Sequence, residues 1–195
     1  MRHKSEQTIN GASTIGGAMG PFIFDPEKAT EAILYVSSRV HGDMYATLKL
    51  LYLADKLHLH RYGRFLFGDA HYALPHGPVP QGVYDIVKFV RGSSGQSSVR
   101  AYEPARTAFA MDGNSIRALR DVDLSVFSSS DEECLDEVIA TFGTERFNDL
   151  KVATHDAAYE ATSHCNRITP AAIASMSDDP AALIQYLADM APDIK

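Results

Sequence analysis

Asp55 and His58 stand three residues apart in "LADKLHLH", with His60 two positions further on. On a helix, groups three or four apart share a face, so this pair could present two ligands to one metal ion. A protein zinc site needs three or four such groups, and no further ligand is fixed by the segment. The competing reading is a polar helix end beside Arg61, where cationic side chains suit the helix dipole. Thr154, His155 and Asp156 have the residue types for acid–base work. General acid–base catalysis needs a reacting group within hydrogen-bond reach, and no Gly-x-Ser-x-Gly elbow is present. The simpler reading makes Thr154 and Asp156 helix-boundary caps, with His155 packed locally. Ser163, His164 and Cys165 lack papain-like surroundings. "IGGAMG" at 15–20 lacks the strand-to-helix setting of a phosphate loop. The residues alone therefore assign no catalytic, cofactor or metal position.

The elements that must carry these side chains are mainly helical. In "FDPEKATEAILYVSSRVH", Asp25 caps a helix, Pro26 fits its first turn, and Gly42 ends it. "DMYATLKLLYLADKLHLHRYG" is a second helix from Asp43 to Gly63, with leucines on more than one face and hence central. Lys49 and Lys56, seven apart, mark its expected solvent side. "RFLFGDAHYAL" is an extended or hairpin-like segment. Gly77 and Pro78 are then expected as a turn pair, with Val79 extended before a helix opened by Pro80 and closed by Gly92. "SSGQSS" is a loop. "RTAFAMDGNSIRALRDVD" is two short strands about an Asp-Gly turn. Leu135, Val138, Ile139 and Phe142 form a stripe on a later helix behind acidic residues. "ERFNDLKVATHD" and "DPAALIQYLADM" supply two more helices. The fold class is α+β, mainly helical, in a single domain with a small antiparallel sheet or hairpins.

Composition limits the function classes. The chain has 195 residues, 45% of them apolar, and a net charge of −7. That charge argues against a broad nucleic-acid surface and suits a basic partner. Cys134 and Cys165 read as reduced thiols of a cytoplasmic protein. No run of about 18 apolar residues would span a membrane. Residues 1–21 read as a flexible leader, leaving one domain over 22–195.

Taken together, "LKLLYLADKLHLHRYGRFLFGDAHYALPHGPVPQGVYDIV" resembles the Panacea, or SocA-like, antitoxin domain. The resemblance rests on Leu48–Asp55, Tyr62–Gly63, Gly68–Asp69, Tyr72–Ala73, Gly77–Val79 and Val83–Tyr84 in that order. Leu150, Thr154 and His155 match a later segment in which Tyr159 stands where the pattern has tryptophan. It spans roughly residues 22–165. It implies a non-enzymatic antitoxin that neutralises a cognate protein toxin by direct contact, with an adaptor role towards a ClpXP-type protease as an extension. Tyr72, His76, Pro78, Val79, Tyr84, Asp85 and Lys88, around the proline-rich bend, are the expected toxin-facing residues. A small metal- or His-dependent hydrolase and a DNA-binding autorepressor are the alternatives.

Overall fold

The structure is a computed structural model that describes residues 22–40, 42–93 and 99–190. The leader at 1–21, most of the "SSGQSS" loop and the last five residues lie outside the described residues. Helix α1 (Pro26–Ser37) begins as its capping chemistry requires, the Lys28 amide donating to Asp25 Oδ1 at 3.0 Å. It ends five residues before Gly42, which instead marks where the chain crosses a hairpin. There the Ile116 amide donates to the Gly42 carbonyl at 2.7 Å.

Helix α2 (Met44–Tyr62) is capped by Asp43 and closed by Gly63. Leu48, Leu50, Leu51, Tyr52, Leu53, Ala54 and Leu59 are all buried, so apolar residues spread round the helix become the centre of the core. Strands β1 (His71–Leu74) and β2 (Gly77–Pro80) pair antiparallel with Tyr72 opposite Val79. Helix α3 (Gln81–Arg91) follows directly and ends at Gly92. Two single turns, α4 (Val99–Tyr102) and α5 (Ala105–Ala108), lead into β3 (Phe109–Asp112) and β4 (Ser115–Ala118), a hairpin turning at Gly113 and Asn114.

Helix α6 (Ser129–Phe142) carries the expected stripe, with Leu135 and Val138 buried. It packs across α2, as does α7 (Phe147–Thr154). The chain closes with α8 (Ala157–Glu160), β5 (Arg167–Ile168), α9 (Pro170–Ala174) and α10 (Pro180–Met190). Strand β5 adds to the free side of β1, giving the order β2-β1-β5. The class is mainly helical α+β. The short elements α4, α5, α8, α9 and β5 are not foreseen above, because two to five residues carry no readable period. Residues 106–108, read as the start of a strand, belong to the helical turn α5 before β3 begins at Phe109. No helix among the described residues is long and apolar enough to cross a membrane.

Candidate functional site

The polar residues of the signature are engaged inside the scaffold. Asp55 is buried and accepts the Leu66 amide at 2.6 Å, fixing the chain that leaves α2. Its other oxygen lies 3.0 Å from His71 Nε2 without hydrogen-bond alignment. Asp69 accepts the amides of Gly82 (2.8 Å) and Val83 (2.9 Å). Pro80, at the start of α3, has no side-chain cap to offer, so Asp69 supplies the acceptor from eleven residues away. Burial pushes the Asp69 carboxyl up to about 6, with His71 and the two amides opposing it. Gly68, just before it, has φ +69, and a Cβ there would run into the Ile23 carbonyl. Gly68→Ala is expected to lower unfolding free energy by about 2–3 kcal/mol, the strain of a left-handed residue plus a backbone clash. A urea titration showing a loss below about 1 kcal/mol would contradict that reading.

Lys49 corrects the sequence reading. It is not on a solvent face but only 2% exposed, and its Nζ donates to the Pro78 carbonyl at 2.9 Å. Burial, and next the cation of Lys151, lowers its pKa to about 7. The hairpin can close over this amine because residue 77 is glycine. With φ +103, a Cβ there would sit 2.7 Å from Lys49 Nζ and 3.1 Å from the His155 ring. Lys56, in contrast, reaches Asp156 Oδ2 at 2.9 Å, which also accepts the Tyr52 hydroxyl at 2.9 Å.

The "THD" segment follows its structural reading. Thr154 Oγ1 donates to the Leu150 carbonyl at 2.8 Å, and Asp156 caps α8 through the Tyr159 amide. His155 packs on Tyr159, ring centroids 4.2 Å apart, and the Tyr159 hydroxyl donates to the Leu74 carbonyl at 2.9 Å. Tyrosine in place of tryptophan thus keeps an aromatic plate on His155 while its hydroxyl ties α8 to the hairpin.

Asp55, His58 and His60 do not converge. His58 bridges the Arg64 carbonyl (2.8 Å) and Asp131 (3.1 Å), while His60 Nε2 meets the Ile173 carbonyl at 2.8 Å. Among the described residues no group of three or more His, Cys, Asp or Glu could hold a metal. What sequence reasoning missed is Asp131, on which Lys28, His58 and Arg64 all close. It also completes a capping box with Ser128. Burial alone would raise its pKa, but hydrogen bonds from His58, Lys28 and Ser128 hold it well below the usual carboxylate range. The readable signal was the Ser128-x-x-Asp131 spacing, a variant of the capping box.

Of the expected toxin-facing residues, Pro78 and Val79 are buried. Val79 is extended as expected, but Gly77 and Pro78 are not the expected turn pair. Gly77 and Pro78 belong to β2, and the turn itself is Pro75 and His76. The reason is the buried side of β2, which packs on α2 and α7. His76 is exposed at the hairpin tip, and Tyr72, Tyr84, Asp85 and Lys88 are half-buried. On α3, Lys88 pairs with Asp85 at 2.6 Å and sits 4.7 Å over the Tyr84 ring. The structure adds two exposed aromatics from distant segments. Phe147 stands 6.0 Å from Tyr45 and 6.4 Å from His76, centroid to centroid. Three elements, α2, α7 and the hairpin tip, thus share one aromatic platform.

The scaffold thus buries Lys49, Asp55, Asp69 and Thr154 and leaves aromatic and polar groups at its surface. The family "Antitoxin SocA-like, Panacea domain" matches residues 48–160, more than half of the chain, and the chain belongs to that family. Its family is one of antitoxins, whose partner is a toxin. No curated protein and no solved structure matches the chain.

Proposed function

We propose that this chain is a cytoplasmic antitoxin that neutralises its cognate toxin by direct protein contact, through one domain over residues 22–195. The observation that carries this reading is the division of labour within the family-matched segment. Lys49, Asp55, Asp69, Thr154 and Tyr159 are engaged in holding the scaffold, while His76 and Phe147, with Tyr45 beside them, face outward. Aromatic side chains dominate the energetics of protein interfaces because they bury large rigid areas at low entropic loss. A stable complex of this kind buries roughly 1,600 Å² in total. Tyr72, His76, Tyr84, Asp85 and Lys88 remain the interface residues of this proposal, extended to Tyr45 and Phe147. The net charge of −7 favours encounter with a basic toxin.

The test is co-expression with the product of the neighbouring gene, scoring growth and co-purification. The wild-type chain should restore growth and form a stable complex. The double variant His76→Ala/Phe147→Ala should bind on the order of tenfold or more weaker with its melting temperature unchanged, since both side chains are exposed. Toxicity undiminished by the wild-type chain would reject the antitoxin reading. In the adaptor version, the chain also hands the toxin to a ClpXP-type protease. Toxin half-life in protease-competent cells, identical with and without the chain, would remove that version alone.

A further inference from the structure

Lys49, His76, Lys151 and His155 gather at the β1–β2 hairpin. Phe147, Lys151 and His155 stand four residues apart and so form one stripe along α7, running from the aromatic platform to the helix end. Beneath it lies buried Lys49, whose acceptor is the Pro78 carbonyl. Lys49 Nζ and His155 Nε2 flank the same point: a Cβ on Gly77 would sit 2.7 Å from the first and 3.1 Å from the second. His76 stands at the hairpin tip, 6.4 Å from Phe147 between ring centroids.

The charges in this group do not balance. His155 Nε2 is buried without a hydrogen-bond partner, and its Nδ1 stands 3.7 Å from the exposed Glu160. The half-buried Lys151 ammonium makes no hydrogen bond or ion pair among the described residues. Asp156, next to His155, is taken by Lys56 and Tyr52. Asp149 lies two residues from Lys151, a spacing that puts it on another side of α7. The imbalance shows in titration. Burial, and next the Lys151 cation, lowers Lys49; the same two causes lower His155, with Glu160 opposing, Lys49 adding and Asp156 opposing. In a chain of net charge −7, this is a local basic patch short of one anion. We propose that the patch anchors an Asp or Glu side chain of the cognate toxin, whose carboxylate pairs with Lys151 above Lys49 and His155. This rests on the antitoxin reading and names the chemistry of one contact within it. Lys151 is the reachable member, and the two buried bases act on the carboxylate through a medium of low dielectric. One reachable ammonium makes no cage for a free ion. A side chain carried by a partner arrives with Phe147 and His76 already engaged, at high effective concentration. A second copy of this chain, also at −7, is repelled as a whole. The net charge thus steers a basic toxin, while the basic patch fixes its register.

The experiment uses the full chain and the product of the neighbouring gene, with affinity measured by surface kinetics and stability by thermal unfolding at pH 7. Lys151→Gln should weaken the complex on the order of tenfold with the melting temperature unchanged. Lys151→Glu should weaken it further yet raise the melting temperature, because it supplies the missing carboxylate from within the chain. Changing the matching toxin carboxylate to lysine should then restore binding to Lys151→Glu. Wild-type affinity in both variants, or a scan of the toxin's Asp and Glu positions that finds no such restoration, would overturn the anchor while leaving the antitoxin reading in place. Inorganic phosphate that stabilises the free wild-type chain but not Lys151→Gln would give the patch to a free ion and overturn the anchor. A dimer of this chain lost in Lys151→Glu, with toxin binding intact, would give it to a second copy and overturn the anchor likewise. A wild-type chain that neither binds nor rescues growth would overturn the antitoxin reading and the anchor with it.

Discussion

Replacing Asp131 by alanine is expected to lower the unfolding free energy by about 3–5 kcal/mol, the range for removing one partner of a buried charge cluster. Asp131 is fully buried at the start of α6 and receives Lys28 from α1, His58 from α2 and Arg64 from the segment after α2. Alanine leaves the Lys28 ammonium and the wholly buried His58 ring without their acceptor, and it breaks the capping box with Ser128. Asparagine keeps the shape and one acceptor, so Asp131→Asn should lose about half as much. The pH dependence has a definite sign. The native carboxyl is held below its unfolded value of about 3.9, so below that value the unfolded chain takes up the proton first. The stabilisation is complete above about pH 4 and is lost as the pH falls further. Asp69 works oppositely: its native carboxyl is raised to about 6, so it subtracts stability as the pH climbs towards 6. Urea titrations at pH 7 and pH 3 should show the gap between the wild type and Asp131→Ala narrowing at pH 3 without closing, because the native carboxyl stays ionised well below its unfolded value. A loss at pH 7 below about 1 kcal/mol would mean that the cluster is solvated, not structural.

The same cluster shows why sequence reading stops where it does. Helices α1, α2, α3 and α10 are legible because each start has an Asp or Pro whose local chemistry needs no knowledge of the rest of the chain. The β3–β4 hairpin is legible for the same reason, from its Asp-Gly turn. Asp131, by contrast, gathers residues from positions 28, 58 and 64, and no local window contains them. Lys49 is misread because a lysine seven residues from another ordinarily marks solvent. Only the return of β2 over α2 puts a carbonyl within its reach. The aromatic platform is invisible for a related reason: Tyr45, His76 and Phe147 become neighbours through packing alone. The family was legible because its signature is a string of such structural positions whose order and spacing survive in one dimension, while the surfaces that meet a partner leave no comparable trace.

Between pH 7 and 8.5 the wild-type chain should become more stable by about 2 kcal/mol, and Lys49→Met should abolish that slope. In the native state Lys49 titrates at about 7, lowered by burial, while in the unfolded chain it titrates near 10.4. Across this interval the unfolded chain holds a proton that the folded chain has released, so raising the pH favours the folded state. The window closes from above. Burial raises the Cys134 thiol to about 11, so beyond roughly pH 8.5 the unfolded thiol ionises first, its slope offsets that of Lys49, and the gain in stability levels off. Methionine matches the length of the lysine stem but leaves the Pro78 carbonyl without its donor, a loss of about 1 kcal/mol. At pH 7 the relief from burying an amine outweighs that loss, and Lys49→Met should be the more stable protein. Denaturant midpoints taken in steps from pH 6.5 to 9 separate the two contributions, since the hydrogen bond affects the height of the curve and the amine its slope. If the slope survives in Lys49→Met, the lysine stays charged in the folded protein and another group carries the titration. If it vanishes, the β1–β2 hairpin rests on a neutral amine near pH 7, and the position of His76 at its tip becomes sensitive to mild acid.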